Sequence, residues 1–172
     1  MRKPMKENAI DKLSFEMMGD PRFPGYLSDD EVIEKIKSVP NLDLNEKGCD
    51  GRTLLHHCVA YNRTKVCMWL LDKVVDLNVQ EDMGLTPLHI AATSYTSETA
   101  KYEMGKLLVE KGADLEIKNK YGYTPLGATS RNENMIKLLL AHGARFDFER
   151  VAKKYEAYPE IIAIFKEYCE EN

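Results

Sequence analysis

Apolar positions recur along this chain at three- and four-residue spacing, the period that places side chains on one face of a helix. Ile10, Leu13 and Met17 form the first such face over residues 6–18, and Gly19-Asp20-Pro21 stops it. Val32, Ile33, Ile36 and Val39 form the second, opened by Ser28 and Glu31 in the pattern in which hydroxyl and carboxylate cap each other's backbone amides. Pro40 ends it. Helical stretches follow over 53–61 and 64–73, and the stripe Met104, Leu107, Leu108 marks another. The chain closes with stretches over 149–156 and 159–170, whose contacts come from Val151, Ala152 and Tyr155, then Ile161, Ile162, Ile164, Phe165 and Tyr168.

Between these faces the chain repeats itself. In Gly84-Leu85-Thr86-Pro87-Leu88-His89-Ile90-Ala91-Ala92 a tight turn runs into a helix. Gly84 suits a positive φ, Thr86 caps the first helical turn, and Pro87 takes the position that needs no donor. Leu88 points inward, and Ala91 and Ala92 let a neighbouring helix come close. Weaker copies flank it, Gly51-Arg52-Thr53-Leu54-Leu55-His56 lying 33 residues before and Gly122-Tyr123-Thr124-Pro125-Leu126-Gly127 lying 38 residues after. A second half recurs as Lys106-Leu107-Leu108-Val109-Glu110-Lys111-Gly112-Ala113-Asp114-Leu115 and as Lys137-Leu138-Leu139-Leu140-Ala141-His142-Gly143-Ala144.

The two halves in order resemble the ankyrin family, whose signature is Thr-Pro-Leu-His-x-Ala, then a second helix and a Gly-Ala-Asp-like entry to a hairpin. The resemblance implies an all-α solenoid of stacked helix-turn-helix units joined by β-hairpin-like connections. It divides one domain, 1–172, into an N-terminal capping repeat (1–47), a repeat (48–80), a repeat with an insertion (81–118), a shortened repeat (119–148) and a C-terminal cap (149–172). Several residues depart from the family pattern: Leu54 stands for proline, His57 for an apolar residue, Val74-Val75 for Gly-Ala, and Gly127 for histidine. The insertion falls within Ser94–Glu103 and reads either as a partner-contacting loop or as a longer second helix starting near Ser97.

At 172 residues, with 44% hydrophobic and 30% charged residues, the chain fits a single soluble domain. Its net charge of -4 argues against a surface that tracks phosphates, so nucleic acid is not expected as a partner. No apolar run approaches the ~20 residues of a membrane helix and no secretory leader follows Met1, so no membrane is expected and the cytoplasm is the default location. Cys58 and Cys67 read as reduced core thiols, while Cys49 and Cys169 fall where exposure is expected.

Only His56-His57-Cys58 invites a metal, since imidazole and thiolate ligate zinc. Adjacent residues on a helix point apart, and no nearby group completes four ligands. The resemblance implies instead that His56 and His89 bond the local threonine and the backbone of the junction. There is no phosphate-cradling glycine loop and no Gly-x-Ser-x-Gly elbow. Catalysis, metal and cofactor are therefore not expected, and Trp69 with the Met104 stripe reads as inter-repeat core.

The family binds proteins through a concave face of turn tips and first helices, which the resemblance carries here onto two columns. Asp50, Met83 and Tyr121 form one, and Arg52, Leu85 and Tyr123 the other, with adjacent tips expected ~10 Å apart, as packed helices are. Tyr61, Thr93, Ser94 and Arg131 would extend the face along the helices. The expected function is a non-catalytic, monomeric module that binds a folded protein, in its sharper form an inhibitor or immunity-type protein neutralising a toxin or enzyme. Two alternatives stand beside it: a metal-binding or enzymatic role around His56, His57 and Cys58, and a structural assembly subunit.

Overall fold

Asn8 and Ser28 each start a helix by the same exchange. The side chain of each accepts the amide of the residue three places on, Asp11 at 2.9 Å and Glu31 at 3.3 Å, and that residue's carboxylate accepts the cap amide in return. The helices so opened, α1 (Ala9–Met17) and α2 (Asp29–Ser38), lay Ile10, Leu13 and Met17, and Val32, Ile33 and Ile36, into the core. The structure is a computed structural model that describes residues 8–18, 25–73, 75–93 and 98–171. In it follow α3 (Leu54–Ala60), α4 (Thr64–Leu71), α5 (Pro87–Thr93), α6 (Glu98–Glu110), α7 (Pro125–Ala128), α8 (Glu133–Ala141), α9 (Phe148–Lys154) and α10 (Pro159–Glu171).

The helices stand in two rows. Along the first, α1, α3, α5 and α7 pack one on the next; in the second, α2 packs on α4, α6 on α8, and α8 on α10. Pairs close across the rows, α1 on α2, α3 on α4, α5 on α6 and α9 on α10. A single apolar core runs between the rows, from Ile10 and Met17 through Leu54, Leu88, Leu108 and Leu139 to Ile161 and Phe165. Each unit covers the apolar flank of its neighbour, so no unit is buried by its own residues alone. The fold is the all-α solenoid that the repeated motifs imply, and the described residues hold no strand.

Three local features differ from the plain repeat. Residues 98–103 of the insertion are helical and lengthen α6 to 13 residues, which takes the helical alternative for that part; Ser94, Tyr95, Thr96 and Ser97 lie outside the described residues. The third unit's first helix, α7, is cut to four residues. The ends of the second helices also divide. Gly112 and Gly143, at φ +89° and +85°, turn the chain sharply after α6 and α8, each with the next amide bonded back into the helix. After α4 no such glycine exists, and the chain leaves through Lys73, whose amide returns to Leu70 O at 2.9 Å; Val74 lies outside the described residues.

Trp69 packs against the core as expected but only from its edge: it is half-buried on α4, with Lys73 Nζ 5.2 Å from its ring centre and exposed Met68 beside it. Val66, Cys67, Leu70 and Leu71 fill the inward side of the helix. Cys58 and Cys67 are buried and free, whereas Cys49 and Cys169 are exposed and free.

The N-terminal pair is fastened by one buried cation. Arg63, only 3% exposed at the start of α4, sends Nε to Met17 O at 3.1 Å and Nη1 to Leu27 O at 2.7 Å, and its guanidinium lies 4.2 Å from the Tyr26 ring centre. Asp29 supplies the counter-charge at 3.1 Å. Removing a buried, fully hydrogen-bonded cation strands carbonyls and a carboxylate, at a cost of about 3–5 kcal/mol. Arg63→Met is therefore expected to lower unfolding free energy by roughly 3 kcal/mol, against at most about 1 kcal/mol for Lys65→Met, which breaks only the exposed Lys65–Asp30 pair. Urea denaturation checks this, and equal losses for the two variants would contradict it.

Candidate partner-binding face

Three tight turns build the face. In each, the fourth residue's amide returns to the first residue's carbonyl: Gly51 to Gly48 at 3.0 Å, Gly84 to Glu81 at 2.8 Å, Gly122 to Asn119 at 2.9 Å. The three closing glycines have φ of +75°, +77° and +76°, a backbone that side chains strain. Side-chain acceptors hold the turns from inside. Glu81 Oε1 takes the amides of Met83 and Leu85 at 2.7 and 2.9 Å, and Asn119 Oδ1 takes those of Tyr121 and Tyr123 at 2.9 and 3.1 Å. The first turn has glycine at that position, and Asp11 of α1 reaches across to accept the Cys49 amide at 2.8 Å. That bond holds the Asp11 carboxyl below its ordinary range.

Successive turns are tied backbone to backbone. Asp82 N donates to Asp50 O at 3.3 Å, and Lys120 N donates to Met83 O at 3.0 Å. These bonds join residues one step out of register, so each turn leans on the backbone of the one before it. A second tie comes from histidine. Nδ1 of His56 accepts the Thr53 amide at 3.2 Å and lies 2.9 Å from its hydroxyl, so it carries no proton; Nε2–H then donates to Leu85 O at 3.1 Å. His89 does the same with Thr86 and, at 2.9 Å, Tyr123 O. The carbonyl each ring meets belongs to the following turn. The local threonine contact is as the resemblance implies, and the backbone contact reaches further than the ring's own junction.

Neither ring has a nitrogen left for a metal. Cys58 is likewise spent, fully buried with Sγ donating to Leu55 O at 3.2 Å, and burial pushes its thiol up. Among the described residues no three His, Cys, Asp or Glu side chains converge to hold an ion.

The columns divide by exposure. Tyr121 is 65% exposed and Met83 42%, while Leu85 is half-buried against the core. Tyr123, 39% exposed, lies beneath the Arg150 guanidinium at 4.8 Å. Asp50 and Arg52 are half-buried and face each other at 3.4 Å. Tyr61 stacks parallel on His57 at 6.2 Å. Thr93 is turned back to His89 O at 2.8 Å, and Ser94 lies outside the described residues. Arg131 is exposed but set on the C-terminal cap, with Nη1 donating to the Tyr158 hydroxyl at 2.9 Å and the guanidinium 4.7 Å from that ring.

Sequence reasoning passed over His57 as part of this face. Its ring is 5% exposed, and neither nitrogen meets a partner among the described residues. Burial lowers its pKa, Asp50 and Asp11 pull it up, and Arg52 pushes it down. The signal was the histidine at a usually apolar position, next to the Asp50–Arg52 column.

Stacked helix pairs, with turns joined edge to edge and no convergent chemistry, define a repeat solenoid of the kind that presents a surface. The model of ankyrin repeats (3 copies) matches residues 26–119, and the chain belongs to the ankyrin repeat family. An ankyrin repeat protein of Rickettsia felis is 34% identical over 105 residues, 58% of this chain and 46% of its own length. A probable 26S proteasome regulatory subunit, p28 of Saccharomyces cerevisiae, is 28% identical over 148 residues, 66% of this chain and 64% of its own. The B-cell lymphoma 3 protein homolog of Mus musculus is 36% identical over 101 residues, 55% of this chain and 21% of its own. The chain thus spans less than two thirds of each of these relatives. The family typically mediates protein–protein interaction and is typically non-catalytic, and no helix among the described residues is long and apolar enough to cross a membrane.

Two predictions test this geometry. Burial pulls the His56 pKa down to about 4 and lowers that of His89. The unfolded chain then binds more protons below the ordinary value of 6.5, so stability is full above that pH and falls as pH drops toward about 4. For His56 the loss is about 3 kcal/mol, and His56→Gln is expected to flatten that slope in urea titrations across the window; an unchanged slope would contradict the assignment. Second, a Cβ at Gly84 would meet Lys120 N at 2.9 Å, whereas at Gly122 it would meet nothing within 4 Å. Gly84→Ala should cost roughly 2 kcal/mol more than Gly122→Ala, which pays only for its positive φ. Thermal or urea unfolding of the two variants measures the difference.

Proposed function

We propose that this protein is a non-catalytic binding module that captures a folded protein on the turn tips, centred on Met83 and Tyr121. The carrying observation is that two large apolar side chains stand 42% and 65% exposed on adjacent turns whose own architecture needs neither of them. Glycine, the internal carboxylate or amide, and the histidine ties hold the turns, so the tips are free to carry any residue. Methionine and tyrosine there supply contact area of the kind that dominates interface energetics. Asp50, Arg52, Leu85, Tyr61 and Tyr123 continue the surface, and His57 lies just beneath it.

The mechanism is steric, since no three acidic, histidine or cysteine side chains converge among the described residues. A complex of ordinary size buries about 800 Å² of this face and masks the matching area of the partner. Inhibition, including immunity-type neutralisation of a toxin or enzyme, is the sharpest form of that action, carried out by a monomer in the cytoplasm. A net charge of -4 favours association with a basic partner.

Affinity purification with the wild-type protein and with Met83→Ala/Tyr121→Ala as baits, compared by quantitative mass spectrometry, tests the reading. The partner should fall at least roughly tenfold in the variant, the loss of two centre-of-interface side chains, with the melting temperature unchanged. Equal recovery on both baits would remove this face from consideration.

A further inference from the structure

The rail of turns stops one step early, and the step that is missing leaves a cleft. Asp50 O and Met83 O each receive an amide from the following turn, but the Tyr121 carbonyl receives none from the described residues. Added Cβ atoms at Gly51 and Gly84 run into the next turn's backbone, and one at Gly122 runs into nothing. Gly127 stands where His56 and His89 reach forward, so the third unit has no imidazole to hold a further carbonyl. The chain instead passes from Ala144 through Arg145, Phe146 and Asp147 directly into α9. The vacated place is a cleft of about 860 Å³ between the third turn, α7 and α9.

Its walls are basic in a protein that is acidic overall. Lys118, Arg145, Arg150, Lys153 and Lys154 line it, five of the chain's 24 lysines and arginines. None of the five forms an ion pair among the described residues. Two carboxylates share the lining, Glu116 accepting the Arg145 amide at 2.8 Å and Asp147 those of Glu149 and Arg150 at 3.0 and 3.3 Å, so the basic groups outnumber the acidic ones five to two. Leu126, Phe146, Val151 and Phe165 give the lining an apolar part.

We propose that this cleft binds an extended acidic segment of a partner protein, laid where a fourth turn would stack. At the Gly122 edge of the cleft, a backbone amide of the segment reaches out to the Tyr121 carbonyl as Asp82 and Lys120 meet the carbonyls before it. Its carboxylates face Arg145, Arg150 and Lys153, and an apolar side chain rests on Phe146 and Val151. The volume lies within the range of ordinary ligand sites, about 300–1,000 Å³. Lys154 contributes from the side, its Nζ donating to Gly127 O and Thr129 O. Burial first, and the charge of Arg150 second, pull its pKa down to about 8; an incoming carboxylate relieves that crowding of positive charge. Charge decides the occupant: a polyanionic nucleic acid that extended beyond the cleft would meet a chain of net charge -4.

This site adjoins the tip face at Gly122 and Tyr123, but its basic lining is distinct from the apolar Met83 and Tyr121 side chains, so variants of Arg145, Arg150 and Lys153 test the cleft and a variant of Met83 tests the tips. Selection from a random dodecapeptide library on the folded protein, followed by fluorescence titration of the enriched peptides, tests it. Peptides rich in Asp and Glu should emerge, with affinity that falls as salt is raised. Both Arg145→Glu/Arg150→Glu and the single, exposed Lys153→Glu should weaken them roughly tenfold or more while melting as the wild type does. Met83→Ala should leave the titration unchanged. Failure to enrich acidic peptides, or enriched peptides indifferent to both variants, overturns the proposal. Displacement of the peptides by a lower concentration of single-stranded oligonucleotide also overturns it and assigns the cleft to nucleic acid.

Discussion

The structure depends on an imidazole used from both sides. Apolar contact between helix rows supplies most of the burial, but it is non-directional and fixes neither the register of one turn on the next nor the order of units. His56 and His89 add the direction: one nitrogen is occupied by the threonine that starts its own helix, the other by a carbonyl of the turn that follows. Each bond is worth only about 1 kcal/mol net. Its weight lies in the alternative, since a turn carbonyl buried without a donor would cost more than the bond returns. The same requirement explains the neutral rings and the threonine–histidine pairing at the two complete junctions.

The two ends of the array are finished by different means. At the N-terminal end, Arg63 gathers carbonyls from α1 and from the approach to α2 around one buried charge. At the C-terminal end, the shortened α7 leaves its last carbonyls open, and the cap supplies what they lack. Tyr155 Oη donates toward Thr129 O and Ser130 O, both at 2.9 Å, and Lys154 Nζ reaches Gly127 O at 2.8 Å. A helix of one turn persists there because Lys154 of α9 and Tyr155 just beyond it take over the hydrogen bonds that further turns would have made.

Much of this was legible in the chain. The glycine–threonine–proline junctions, the apolar stripes of α1, α2 and α10, and the buried Cys58 and Cys67 follow from local rules of turns, caps and periodicity. What escaped depends on neighbours distant in sequence. Arg63 is one of 24 basic residues and nothing local marks it as buried. Trp69 sits in an apolar run and yet half faces solvent, because four other residues saturate the inner side of α4. Nothing local in the sequence marks the contact of Arg131 with Tyr158, 27 residues on. The turn columns could be aligned, whereas which members stand free could not, since Leu85 is covered by the core and Tyr123 by a guanidinium from α9.

Gly127 has a bearing on how such an array is extended. The second unit carries a forward-facing donor and could be duplicated in tandem, each copy latching the one after it. A duplicate of the third unit inserted in mid-chain would leave its successor unlatched. Glycine at this place omits a single functional group, as a monofunctional monomer does in polymer chemistry, and offers a successor nothing to join.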